Sequence, residues 1–376
     1  MQCKSFRWYS LLAASFVLLL VSVPLTAAAQ AGFVYVATNN PSGNTVIQYS
    51  RAADGSLSKV ADVGTGGLGS AGSGGVDPLT SQDALVLNAG GSLLLVVNAG
   101  SDQLSSMTAG STGLQLVSTV ASSGKFPNSV AVNGDLVYVL NAQGTPNISG
   151  FRLSAEGQLQ PISGSTFNLP GGVSAAPHDI GFTPDGKRLI VVEGGTNQFD
   201  IFDLDTNGLV SNVVTQPSAG AGAFSFRFGR SELLISTEAT SASVSSYILT
   251  SQDQLDVISA AVPDGQMATC WITLTANKSF AFVSNTGSGT LSAYHVTPNG
   301  KLNLAQAVAA SLGEGAAPID SAMSINPTAN NRNGTYLYVQ DSALGRVVIF
   351  RVRGASLMRI GSVDNLPKTQ QGIAAR

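Results

Sequence analysis

Two histidines occur in this 376-residue chain, and His178 opens a stretch that also carries a glutamate: "AAPHDIGFTPDGKRLIVVEGGTNQFDIFDLDTNGLV", residues 175–210. That glutamate is Glu193, and Glu238 ends the comparable run "LLISTE". Imidazole and carboxylate are the usual carriers of protons near neutral pH, so a pair brought together could serve as general acid and base. Asn285, Asp341 and Arg227 add amide, carboxylate and guanidinium groups of the kind that orient a ligand. Two separated histidines and the single late cysteine, Cys270, do not make a transition-metal site, and no cofactor is expected. Whether any of these residues can meet depends on the elements that carry them.

Those elements repeat. An apolar strand ending in a small polar residue recurs as "VYVATN", "LLVVNAGS", "VYVLNAQG", "LIVVEGGT", "LLISTEAT", "AFVSNTGS" and "LYVQDSAL". An alternating strand follows each one, and several then turn through Asp54-Gly55, Glu156-Gly157, Asn207-Gly208 or Asn299-Gly300. Such dipeptides suit a two-residue hairpin whose central residues both have positive φ. A further short strand precedes six copies: "DALVLN", "NSVAVN", "HDIGFT", "FSFRFG", "CWITLT" and "DSAMSIN". The first copy lacks one, but "QGIAAR" supplies the same pattern at the C-terminus. The chain is therefore expected to be all-β: a seven-bladed β-propeller with four-stranded blades and a period of roughly 45 to 50 residues. The C-terminal strand should close the ring within the N-terminal blade.

Blade geometry puts the start of each inner strand and the end of each second strand on one face. His178 then shares a rim with Glu193, Glu238, Asn98, Asn141, Asn285 and Asp341. The asparagines read first as turn residues, since Asn bonds locally and accepts unusual backbone angles. Glutamate is a poor turn residue, which makes Glu193 and Glu238 stronger functional candidates. Arg227 lies deeper on its strand and is expected to brace adjacent blades. The Gly-rich stretch at 64–75 lacks the features of a phosphate loop and reads as a flexible surface loop, and 326–334 as an enlarged turn.

Residues 1–31 read as a secretory signal peptide. Lys4 and Arg7 precede an apolar run from Leu11 to Val23 that is short for a membrane span, and small residues follow it. The mature chain, 32–376, is expected as one domain in the periplasm or outside the cell, with no membrane span. Losing two basic and no acidic residues leaves it at a formal charge of −5, which argues against nucleic acid as a partner. Cys270 alone remains, so an internal disulfide is excluded. Charged residues are 11% of the chain and glycines number 42, but 44% hydrophobic content argues for a packed core rather than disorder.

At "APHDIGFTPDGKRLIVVEGG" and "LLISTEATSASVSSY" the chain resembles the seven-bladed β-propeller lactonase family, which includes bacterial 6-phosphogluconolactonase and the fungal carboxymuconate lactonising enzyme. The resemblance spans nearly the whole mature chain. It implies a His-x-His at Ala176-Pro177-His178, a Pro-Arg-His at Ala223-Phe224-Ser225, an Asn-Glu at Thr237-Glu238 and a Ser-Asn-Arg at Ser284-Asn285-Thr286. His178 and Glu238 are retained as the implied catalytic pair, with Glu238 activating water or taking a proton and His178 polarising the carbonyl or protonating the leaving oxygen. Glu193, Asn285, Asp341 and Arg227 are the candidate binding residues. Both family arginines are missing, at Phe224 and Thr286, which removes the bidentate hold on an anionic substrate. The leading expectation is an exported hydrolase for a neutral or weakly charged lactone or other sugar-like small molecule. The rival is a non-catalytic propeller binding a ligand, or a protein partner at its face, through an eroded lactonase site.

Overall fold

In the computed structural model the described residues are 1–2, 4–5, 30–72, 75–111, 113–324 and 335–376. The apolar run Leu11–Val23 and the enlarged turn at 326–334 lie outside them. Seven antiparallel sheets form a propeller, each ordered inner, second, third and outer strand in sequence. Inner strands are Leu85–Leu87 in blade 2, Lys125–Asn133 in blade 3 and Pro177–Phe182 in blade 4. Ala223–Phe228, Thr269–Leu274 and Pro318–Met323 follow in blades 5, 6 and 7.

Blade 1 takes its inner strand from the far end of the chain, as the orphan "QGIAAR" required. Ile373–Ala375 pairs with Gln30–Ala37 in the register Val34↔Ala375, Tyr35↔Ala374 and Val36↔Ile373. Phe33 and Arg376 exchange backbone hydrogen bonds at 3.1 and 2.9 Å, so no inner edge is left open there.

Second strands read as unbroken apolar runs because blades bury both faces against neighbours. Seven apolar clusters fill the seven joins; Leu95, Val97 and Leu104 of blade 2, for instance, pack with Val137, Val139 and Phe151 of blade 3. Similar slabs occupy the remaining joins. Outer strands have only one covered face and alternate in exposure, as in Leu57–Gly64. Blade 3 departs from the pattern: its outer strand stops at Pro161, which has no N–H to continue a ladder, and Phe167–Asn168 resumes the pairing.

Two local expectations change. In the turn dipeptides only the glycines have positive φ, +91° at Gly55, +92° at Gly157, +81° at Gly208 and +85° at Gly300. Gly55 N–H bonds to Ala52 O, so the turn is a type I turn completed by a left-handed glycine rather than a two-residue hairpin. The described part of the Gly-rich stretch, through residue 72, is also packed rather than free. Ser70 N–H bonds to Asn39 Oδ1 at 2.9 Å, and Gly100 N–H bonds to Leu68 O at 3.0 Å. A Cβ on Gly69 would overlap the Asn39 backbone, so glycine is required there for close approach.

Candidate functional site

Strand registers confirm the shared face: Pro177 pairs with Glu193, Ala223 with Glu238, Thr269 with Asn285 and Pro318 with Asp341. At each second-strand end, however, the side chain is fully buried and serves as a clasp. Glu238 accepts hydrogen bonds from Ser218 Oγ, Gly220 N–H, Ser243 Oγ and Ser245 Oγ at 3.2, 2.9, 2.5 and 2.5 Å. Glu193 accepts from Gly171 N–H, Thr196 Oγ1 and Gln198 Nε2. Asn285 bonds Thr269, Thr290 and Ser292. Asp341 accepts from Ala317 N–H and Arg346 Nε. Each clasp ties its own third strand to the chain entering the blade, and this satisfies polar groups that burial would otherwise leave unpaired. Asn98 and Asn141 make the corresponding bonds in blades 2 and 3.

Glu193 has a second role. Burial, and then the neighbouring Glu193, push the carboxyl of Asp200 up to about 8. Asp200 Oδ2 is buried without a hydrogen-bond partner, which suits a carboxyl that keeps its proton.

His178 is placed differently. It is half-buried at the channel mouth, with its ring stacked on Phe224 at 4.7 Å and 22°. Phe224 in turn meets the edge of Trp271 at 4.8 Å. His178 Nδ1 lies 2.7 Å from Thr80 O, and a carbonyl can only accept, so Nδ1 carries the proton and Nε2 keeps its lone pair. Burial pulls the imidazole down to about 4, partly opposed by that hydrogen bond, so the ring is neutral at pH 7. Nε2 lies against Gly194, where a Cβ would overlap it. Among the described residues, no hydrogen bond and no common hydrogen-bonding partner joins His178 to Glu238, whose carboxylate faces Ser243 and Ser245 on the third strand.

Thr80 belongs to a segment that the sequence left unread. Val76–Asp83 crosses the channel mouth on its way into blade 2. Gln82 N–H bonds His178 O in blade 4, and Gln82 Oε1 accepts Ile272 N–H in blade 6. Ser81 O accepts from Trp271 Nε1 and from Gln371 Nε2 of blade 1, both at 2.8 Å. Asp77 on this segment accepts from Thr80 N–H at 2.8 Å and Gln371 Nε2 at 2.7 Å. Its carboxyl is half-buried, and burial pushes it up to about 7. Thus Asp77 holds the N–H of the residue whose C=O holds His178. The signal available in the sequence was an Asp following a Gly-rich stretch, too common to be read as functional.

Arg227 ties blade 5 to Asp179 of the adjoining blade 4 and also reaches Asp83 on the segment entering blade 2. Its two terminal nitrogens grip Asp83 at 2.8 and 2.7 Å, and Asp179 lies 3.7 Å away. Its fork is thereby occupied, and both Asp179 and Asp320 are raised well above the usual carboxylate range by burial and by the Asp83 charge. Cys270 is buried, and burial pushes its thiol up, so it is no nucleophile. Among the described residues no group of three or more His, Cys, Asp or Glu is arranged to hold a metal ion, and no helix is long and apolar enough to cross a membrane.

The two positions where arginine was implied hold Phe224, stacked under His178, and Thr286, whose hydroxyl donates to Pro318 O at 2.8 Å. No curated protein matches the chain. Among solved structures, the periplasmic gluconolactonase PpgL of Pseudomonas aeruginosa is similar, at 18% identity and a TM-score of 0.69 over 92% of this chain and 98% of that one. A candidate 6-phosphogluconolactonase of Bacteroides uniformis is similar at 19% identity and a TM-score of 0.69, over 91% and 99% of the two chains. A protein from Lactobacillus plantarum matches at 20% identity and a TM-score of 0.71, over 93% and 99%. At these identities the likeness shows the fold. The family model "Lactonase, 7-bladed beta-propeller" matches residues 85–232 and 229–376, and by that match the chain belongs to the seven-bladed β-propeller lactonase family.

Proposed function

We propose that this protein is an exported lactonase that opens a neutral or weakly charged lactone at the channel mouth on the His178 face. The observation that carries the reading is the imidazole itself: neutral, oriented through Nδ1 by Thr80, and with an Nε2 that lies against Gly194 and makes no hydrogen bond among the described residues. Water adds to the lactone carbonyl and gives its proton to Nε2. Collapse of the tetrahedral adduct breaks the ring C–O bond, and the released oxygen takes a proton from the Asp77 carboxyl. Asp77 fills the acid role because it is partly exposed and shares Thr80 with His178. Glu238 enters this scheme as the clasp that holds the Ser218–Gly220 lead-in to Phe224. With Phe224 buried and the Thr286 hydroxyl hydrogen-bonded, neither position offers a guanidinium to an anion, which favours an uncharged substrate.

The segment bridging the channel and the loss of both family arginines favour as a second reading a propeller that binds a ligand without turning it over. Export is proposed from residues 1–31, with a mature chain 32–376 beginning near Gly32, in line with a neighbour named as periplasmic. The test is a panel of neutral γ- and δ-lactones beside 6-phosphogluconolactone. Hydrolysis of a neutral lactone, lost in His178→Ala, supports the reading. Absence of turnover across the panel moves the choice to the binding protein.

A further inference from the structure

On the His178 face, a groove of about 440 Å³ opens at the join of blades 2 and 3. Asp102, Lys125, Phe126 and Gln143 line it, with the backbone of Gly100 and Gly144. That volume suits a small ring-shaped ligand.

The internal repeat supplies its own comparison. Residues 126, 176, 222 and 268 occupy one position, each just ahead of the residue that pairs with a second-strand end: Pro127 with Asn141, Pro177 with Glu193, Ala223 with Glu238 and Thr269 with Asn285. All four have left-handed backbone, with φ of +55°, +40°, +76° and +56°. Blades 4, 5 and 6 place Ala176, Gly222 and Ala268 there, small residues suited to that conformation. Blade 3 places a phenylalanine, and the residue before it is Lys125 where blades 4 and 5 have Ala175 and Ala221. A bulky side chain at positive φ is unfavourable, and packing of one side of Phe126 on the core between blades 2 and 3 offsets that cost while leaving the residue at the groove.

Chemistry narrows the ligand. Lys125 Nζ lies 2.6 Å from Asp102 Oδ2, and Asp102 Oδ1 accepts the Phe126 N–H at 2.8 Å. The two charges cancel within the groove, so it has no spare cation for an anion and no spare anion for a cation. Phe126 packs one side on the core between blades 2 and 3 and borders the groove, with amide, ammonium and carboxylate groups around it. An apolar plate ringed by hydrogen-bonding groups matches a ligand with one C–H face and many hydroxyls.

We propose that this groove binds a neutral saccharide ring, stacked on Phe126 and hydrogen-bonded to Gln143 and the Asp102–Lys125 pair. The site is separate from His178 and does not depend on lactone hydrolysis. Binding is measured on the full mature chain by saturation-transfer NMR and titration with methyl β-D-glucopyranoside, methyl α-D-mannopyranoside and N-acetylglucosamine. At least one should bind in the millimolar range. Phe126→Ala, which installs the residue blades 4 and 6 already use, should weaken it about tenfold or more. Gln143→Ala, a milder change, should weaken it about threefold. His178→Ala should leave it unchanged. Silence from all three probes overturns the proposal, as does binding that survives Phe126→Ala or disappears in His178→Ala.

Discussion

Deleting residues 370–376 should open the ring, and the size of the effect can be worked from the hydrogen bonds and apolar burial that the closing strand supplies. Besides the ladder bonds of Ile373–Ala375 with Val34–Val36, four flanking backbone hydrogen bonds to blade 1 go: Phe33 N–H to Arg376 O, Arg376 N–H to Phe33 O, Ala37 N–H to Gly372 O and Gln371 N–H to Ala37 O. At about 1 kcal/mol each they contribute about 4 kcal/mol. Ile373, 5% exposed in the cluster between blades 7 and 1, adds about 2 kcal/mol through its burial. Removing Gln371 also leaves Asp77 and Ser81 without their amide partner, so the channel-crossing segment loosens. A loss of about 6 kcal/mol is a large share of the 5–15 kcal/mol that holds a typical domain together. Thermal unfolding of the truncated and intact mature proteins, followed by circular dichroism, should show a midpoint about 8 °C or more lower, or no cooperative transition at all. A midpoint within 2 °C or so of the intact protein would refute closure by this strand as a source of stability.

Further outcomes follow from single side chains. Gly194→Ala puts a methyl where His178 Nε2 lies, so kcat on any lactone the protein hydrolyses should fall about 10² or more while the fold survives. Glu238→Gln sets an amide against hydroxyl and N–H donors and should lower stability by about 1–3 kcal/mol in urea unfolding, with kcat retained to within about tenfold. Asp200, whose carboxyl is raised to about 8 from 3.8, keeps a proton that the unfolded chain releases. Its stability contribution is therefore fully present below about 3.8, is lost progressively between there and about 8 at up to about 1.4 kcal/mol per unit, and is gone above about 8. Urea titrations from pH 7.5 to 9, where His178 is neutral in the folded state and largely so in the unfolded chain, should show this slope fading through about pH 8 in the intact protein and a shallower one in Asp200→Asn. Protein recovered from its native host should begin at or near Gly32 on N-terminal sequencing; Met1 would count against export.

The propeller was legible because its information is local and repeated. Seven apolar second strands, four Gly-ended turns and an orphan strand at the C-terminus each state a short-range preference, and only one closed ring satisfies all of them. The common face of His178 and the second-strand ends followed from the alternation of strand direction alone. Direction does not say where a side chain points or what it meets. Glu193 and Glu238 looked reactive because glutamate is unusual in a turn, yet tertiary packing surrounds each with donors from the third strand and from the incoming chain. Arg227 could not be matched with Asp83 from sequence, since 144 positions and three blades separate them. The segment Val76–Asp83 shows the division most plainly. Its residues carry no periodic signal, and their meaning arises from hydrogen bonds to blades 1, 3, 4 and 6 that exist only once the ring has closed. The sequence by itself determined the strands, their count and the closure, because backbone hydrogen bonding and apolar periodicity are short-range. Which polar groups seal the structure, and which remain free at the channel mouth, was decided only by the tertiary structure, because satisfying buried donors and acceptors depends on neighbours remote in the chain.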